Sequence, residues 1–356
     1  SHRRTVARLA LTAMSSAVSR QPSPAMKKRT DSSGISSACH GTHTRSIAWS
    51  LLIAASPVLA DPAIDFSGDI SAGYDSNPAQ SDAGPSLTFA QYAFDAERET
   101  RLGGAGLLVG VSGWYRDYEA DNEIYRLTLR TDWSHETAQG MGLLTVSLAG
   151  AVYRDTLVPA DERNEAALAF RYDHTLTARD SLALTGETRQ LAYRHPSLPW
   201  SGRPGSDARR DGADRSGRGR GAVAVRRDDW LSGLGFDATH HWSPTLSTVF
   251  SLASARCDSP VPVDAYTRRG VGWLLRIEPA NRWRLELGLG WSRTRYDKAP
   301  RQQQREDIQH TAGLALRHTL GHREWFCRLD WLDSDSNIDE RSFQQQVTAC
   351  GFAWSF

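Results

Sequence analysis

Past residue 60, arginine and carboxylate side chains return repeatedly at alternate positions, each opposite a row of apolar residues. Arg116, Arg126, Arg130, Asp132, Arg171, Asp173, Glu187, Arg189, Arg276, Arg284, Glu286, Arg317, Arg328 and Asp330 form the main set. Asp65, Asp69, Asp95, Asp237 and Glu278 extend it. A charged row beside an apolar row is what a strand carries when its two faces meet different media. The chemistry open to such a row is electrostatic. Enclosed in a narrow space, like charges focus counter-ions and unlike charges cancel. Arg126, Arg130, Arg171 and Arg189 could form a basic ladder for anions, or the wall could be closed by salt bridges between neighbouring segments.

Other residue clusters imply less. Segment 195–228 carries Pro196, Pro199 and Pro204, then Arg203, Arg209, Arg210, Arg215, Arg218, Arg220, Arg226 and Arg227 among glycines and aspartates. That composition builds no packed core; it suits a solvated loop, a phosphate-binding surface or a constriction. His240-His241 and the loop carboxylates lack metal-ligand spacing, so neither metal nor cofactor is implied. No glycine loop is placed to cradle a phosphate. Of the cysteines beyond residue 60, Cys257, Cys327 and Cys350, the last two fall on adjacent segments with both thiols on the apolar face. A cross-strand bond between them is open, but two unpaired thiols are the expectation.

The elements that position these charges are strands. In 283–294, Trp283, Leu285, Leu287, Leu289 and Trp291 point one way, while Arg284, Glu286, Gly288, Gly290 and Ser292 point the other. At about 3.3 Å per residue and a tilt near 40°, the two tryptophans lie roughly 20 Å apart along a membrane normal. Tyr125 and Trp133 bracket a second such strand, and Trp325 and Trp331 a third; with Trp354 and Phe356 they make a candidate aromatic girdle. Fourteen strands are expected, with twelve or sixteen open: 63–75, 86–98, 104–117, 123–134, 141–154, 164–176, 181–194, 229–242, 245–256, 267–278, 282–296, 307–319, 324–334 and 341–356. Short connections, the first at Thr100-Arg101, alternate with longer ones. Such alternation predicts periplasmic turns, outer loops including an extracellular 195–228, and both termini in the periplasm.

Upstream lies a different kind of sequence. Lys27, Lys28, Arg29 and Arg45 precede an apolar run, and Val58-Leu59-Ala60 reads as a small-x-small cleavage site. Residues 1–25 then precede a signal peptide over 26–60, and 61–356 form the barrel. Residues 61–356 hold 34 basic and 40 acidic side chains, a net charge of −6 that argues against nucleic acid.

The chain ends Gly351-Phe352-Ala353-Trp354-Ser355-Phe356, apolar at alternate positions with a terminal aromatic. This resembles the C-terminal insertion signal of bacterial outer-membrane β-barrel proteins, which implies handling by the barrel-assembly machinery and contact with outer-membrane lipid and lipopolysaccharide. His241-Trp242-Ser243 resembles the His-x-Ser spacing of outer-membrane phospholipases, but His241 falls on the polar face at a short turn, with no acid expected to orient it. No enzyme is expected. Phe66 to Pro78, with Gly73-Tyr74-Asp75-Ser76-Asn77, resembles the opening strand of surface lipoprotein assembly modifiers and of barrels encoded with exopolysaccharide export. Ser334-Asp335-Ser336-Asn337 is similar to the assembly modifiers' last loop, but their periplasmic tetratricopeptide domain has no counterpart here. The expectation is therefore an all-β, single transmembrane antiparallel barrel of about fourteen strands in a Gram-negative outer membrane. Its expected role is a porin-like channel for polar or charged solutes. The alternative is a polysaccharide- or lipoprotein-export component with a periplasmic repeat protein as partner.

Overall fold

A computed structural model describes residues 64–356 apart from 83, 103, 120, 138–139, 196–225, 281 and 298–303. The leader, and most of the arginine-rich segment 195–228, lie outside the described residues. The rest forms fourteen strands: β1 (Ile64–Asp75), β2 (Leu87–Leu102), β3 (Ala105–Tyr118), β4 (Asn122–Thr137), β5 (Gly142–Asp155), β6 (Arg163–Thr175), β7 (Asp180–Tyr193), β8 (Asp228–Ser243), β9 (Leu246–Asp258), β10 (Tyr266–Ala280), β11 (Trp283–Tyr296), β12 (Glu306–Leu320), β13 (Arg323–Ser336) and β14 (Phe343–Ser355). Each pairs antiparallel with its sequence neighbours, and β1 closes on β14. Closure matters because a strand edge facing hydrocarbon would leave its amides and carbonyls unpaired.

The seam is built by the terminal residues. Ser67 opposes Ser355 and Asp75 opposes Val347. The Phe356 amide then donates to the Phe66 carbonyl at 2.9 Å, and the two rings stack at 6.3 Å. Gly351 is required here, since a Cβ at that position would run into the Ile70 carbonyl across the seam.

Connections at the two ends differ. Tight turns, the start of β1 at Ile64 and the C-terminal Phe356 occupy one rim, the turn end; longer loops occupy the other, the loop end. Three of those loops contain a short 3-10 turn, at Pro159–Asp161, Pro262–Asp264 and Asp339–Arg341. One expected turn is corrected. Thr100 and Arg101 stay in strand, paired with Leu107 and Gly106, and the chain reverses beyond Leu102 at Gly104, whose φ of 85° suits glycine. β14 begins at Phe343 rather than 341 because the preceding 3-10 turn takes up 339–341.

The outer face carries the apolar row. Leu129, Leu148, Leu168, Leu234 and Leu289 are all exposed there. Tyr125, Trp133, Trp283, Trp291, Trp331 and Phe356 are exposed, while Trp325 and Trp354 are half-buried among neighbours on the same face. Direct cross-strand partners link Trp283, His318, Trp325, Phe352, Ile70, Tyr92, Tyr115 and Tyr125 in one continuous row. The row starts at the turn end on β11 and reaches the loop end by β4. Strand tilt produces that climb, since a row perpendicular to tilted strands must wind around the barrel.

Cys327 and Cys350 form a disulfide between β13 and β14, which corrects the expectation of two free thiols. Register decides it: the two residues are direct partners with Cα atoms 4.1 Å apart, the closer of the two antiparallel pair types. Removing the bond by Cys327→Ser/Cys350→Ser is expected to lower stability by about 2–4 kcal/mol in denaturant titrations. Alkylation of denatured protein should label Cys257 alone before reduction and all three thiols after it. Full labelling without reductant would disprove the bond.

Candidate functional site

The concave face is identified by contacts that skip a strand. Arg126 on β4 donates to Glu165 on β6 at 2.7 Å, passing over β5. Arg130 on β4 meets Glu97 on β2, and Arg171 on β6 reaches Asp237 on β8 at 3.4 Å. Side chains two strands apart, roughly 9–10 Å along the sheet, converge in this way only inside its curvature. All fourteen charged residues read from the alternation share this strand face.

Their charges are consumed in pairs. Glu165 accepts from Arg126, from Arg163 at 2.9 Å and from Arg189 at 3.3 Å, and Arg189 also meets Glu187. Arg130 has Asp132 at 3.3 Å besides Glu97, and Arg171 has Asp173 at 2.8 Å. Nearer the turn end, Arg276 pairs with Glu286 at 2.8 Å, Arg284 with Glu278 at 3.1 Å and Arg317 with Glu324 at 2.6 Å. Arg328 lies 3.8 Å from Asp330. Arg116 donates to Gln91 at 2.8 Å and to the Tyr118 hydroxyl at 3.0 Å. The four arginines of the supposed ladder therefore present no uncompensated positive stripe. Salt bridges reaching past neighbouring strands take its place.

The interior is not uniform along its axis. Toward the turn end exposure is mixed, 43% at Glu278 but only 8% at Arg276 and 6% at Glu286. Near the loop end Asp75 and Asp229 are fully buried and Arg163 is 1% exposed. Two apolar clusters occupy this level. Leu87, Phe89, Tyr118, Ile124, Tyr153 and Ala349 form one, and Leu231, Cys257, Tyr266 and Tyr296 the other. Guanidinium groups cap the rings: Arg116 over Phe89 at 4.3 Å, Arg163 over Tyr153 at 4.6 Å, Arg227 over Tyr193 at 4.0 Å and Arg305 over Tyr296 at 4.3 Å. Face-on placement of a cation uses the negative ring face while the planar edge keeps its hydrogen bonds.

Loops lock this layer from above. Gln80 donates to Gln345 at 3.0 Å, Gln345 donates to Asp75 at 2.8 Å, and the Tyr118 hydroxyl reaches Asp75 at 3.1 Å. Asp155 accepts from the amides of Leu157 and Val158. Arg227 bridges to Asp264 of the β9–β10 loop at 3.2 Å. Burial pushes the Asp264 carboxyl above its ordinary value against the pull of Arg227. The concave face thus carries paired charges along its length and is packed with rings as well at the loop end.

Alternation alone did not single out this aromatic layer. A constriction is one of the readings of segment 195–228; residues 196–225 lie outside the described residues, and the described ring layer comes from strand ends together with Arg227. Its signal was available as phase. Tyr118, Tyr153, Tyr193, Tyr266 and Tyr296 sit beside loops on the polar parity of their strands, out of step with the outer aromatics. The triplet Tyr-Arg-Asp at 115–117 and 153–155 is no guide, because Tyr115 faces outward while Tyr153 joins the inner cluster.

The His-x-Ser site is dissolved by its own hydrogen bonds. Ser243 shares its hydroxyl with Thr245 at 3.1 Å. An acid does meet an imidazole here, but the pair is His240 with Asp180 at 2.7 Å on the outer face, not His241.

No protein-family model and no curated relative matches the sequence. Similar solved structures include a bacterial polysaccharide outer membrane secretin, at 9% identity and TM-score 0.48 over 82% of this chain and 98% of that one. OmpT, an outer membrane protein of Vibrio cholerae, folded in vitro, gives 7% identity and TM-score 0.48 over 82% and 97%. An anion-selective porin from Comamonas acidovorans gives 9% and 0.44 over 82% and 98%. At such identities the likeness is one of fold.

Proposed function

We propose that this barrel lies in a Gram-negative outer membrane and works as a non-catalytic channel for small polar or charged solutes, constricted by the ring-packed layer at the loop end. The observation that carries the reading is the pairing of charges across the concave face. An inner face lined by charged rather than apolar side chains suits contact with water, and the pairs that are buried, such as Arg163 with Glu165, mark where the passage is narrow. With the arginines already matched to carboxylates, the channel discriminates weakly between anions and cations. Transit is set by the aromatic layer. Insertion by the barrel-assembly machinery and contact of segment 195–228 with lipopolysaccharide belong to the same proposal.

Recordings in planar bilayers test it. Purified protein is expected to give discrete conductance steps, to migrate differently on gels before and after boiling, and to keep its steps when residues 203–220 are deleted. A silent bilayer from protein that still shows the gel shift would reject the channel. Silence together with co-purification of a periplasmic repeat protein would support the export reading instead.

A further inference from the structure

The outer face treats its arginines differently at its two ends. Toward the loop end several are paired: Arg256 bridges Asp258 at 2.9 Å and Asp297 at 2.8 Å, and Arg293 and Arg295 share Glu306 at 2.6 and 3.1 Å. Arg269 on that side is exposed and enters no ion pair among the described residues. Toward the turn end, Arg98, Arg282 and Arg323 are exposed and enter no ion pair among the described residues. The carboxylate on that side, Asp180, is engaged by His240 at 2.7 Å.

Around the same rim, histidines pair with aromatic rings: Trp133 with His135 at 5.8 Å, Tyr172 with His174 at 6.0 Å, His240 with Trp242 at 4.4 Å and Trp283 with His318 at 4.2 Å. The last pair is part of a cavity. Ala280, Arg282, Trp283 and His318 line a shallow space of about 460 Å³ where β10, β11 and β12 meet the turns. On the next strand, Arg323 points outward directly opposite Leu320, two positions along β12 from His318.

We propose that this cavity binds the phosphate of a glycerophospholipid in the leaflet that faces the turns. The chemistry is complementary part by part. An uncompensated guanidinium offers a two-pronged donor matched to phosphate oxygens, and a ring N–H of His318 adds a third. Trp283 presents an apolar body to the glycerol and upper acyl region while its indole stays at the interface. The site rests on the barrel lying in a bilayer and is independent of conduction.

The test uses full-length folded barrel in detergent, stripped of lipid and titrated with phosphatidylglycerol, with bound lipid read by native mass spectrometry. One phosphatidylglycerol should be retained per barrel, and diacylglycerol, which lacks the phosphate, should not. Retention should fall about fivefold for each of Arg282→Gln and Arg323→Gln, while Arg293→Gln at the loop end leaves it unchanged. The gel shift on boiling reports folding for every variant; if one of Arg282→Gln and Arg323→Gln fails that check, the other carries the same comparison. Equal retention by wild type and Arg282→Gln, equal retention of diacylglycerol, or preference for lipid A would each overturn the site. Bilayer conductance measured on the same samples separates this proposal from the channel, since loss of lipid with unchanged conductance supports the site alone.

Discussion

Glu165→Gln is expected to turn the lumen anion-selective and to weaken the barrel. Glu165 is 6% exposed and accepts from three guanidiniums that approach from β4, β6 and β7. Glutamine keeps the shape and removes the charge. Breaking a buried ion pair from one side costs about 3–5 kcal/mol because the partner charges stay desolvated. The denaturant midpoint should drop accordingly, and the added positive charge should draw anions into the narrow level of the lumen. Reversal potentials under a potassium chloride gradient report the second effect. Adding Arg126→Gln should restore most of both losses, since the two residues are direct partners and their effects will not add. An unchanged reversal potential in Glu165→Gln would show that ions do not pass this level.

The second large effect concerns the aromatic layer. Tyr266 and Tyr296 face each other at 5.6 Å and cover Cys257, which is 2% exposed. In the native barrel Cys257 should resist a water-soluble maleimide. Tyr266→Ala/Tyr296→Ala should make it react readily and widen the conductance steps, because two rings leave the narrowest level. Each truncation of a large core side chain also costs about 3–5 kcal/mol, so the gel shift must be checked first. If Cys257 stayed protected and the steps kept their size, the constriction would have to lie elsewhere, with segment 195–228 the next region to probe.

Strand positions were readable because a strand's side chains alternate, and two unlike media leave a period-two record in Trp283 to Trp291 or Tyr125 to Trp133. The same record placed Arg126, Arg171 and Glu286 on the polar face. Hairpin turns were readable where glycine or proline marked them. They were misplaced at Thr100-Arg101, because strand pairing continues through any residue whose partner strand does.

Amino-acid order by itself determined that this chain alternates in segments of barrel length and which face of each is polar, while the count of fourteen, open to twelve or sixteen, was fixed by the closed sheet. Tertiary structure alone decided who meets whom. Arg126 finds Glu165, and Asp75 finds Tyr118, only once curvature brings strands two apart together. Cys327 finds Cys350 only once register sets them opposite each other. The ring-lined narrowing exists because closure gathers inward tyrosines from β3, β5, β7, β10 and β11 at one level. Alternation is a property of one strand, whereas these contacts are properties of a closed surface, and no local pattern encodes that surface's radius or shear.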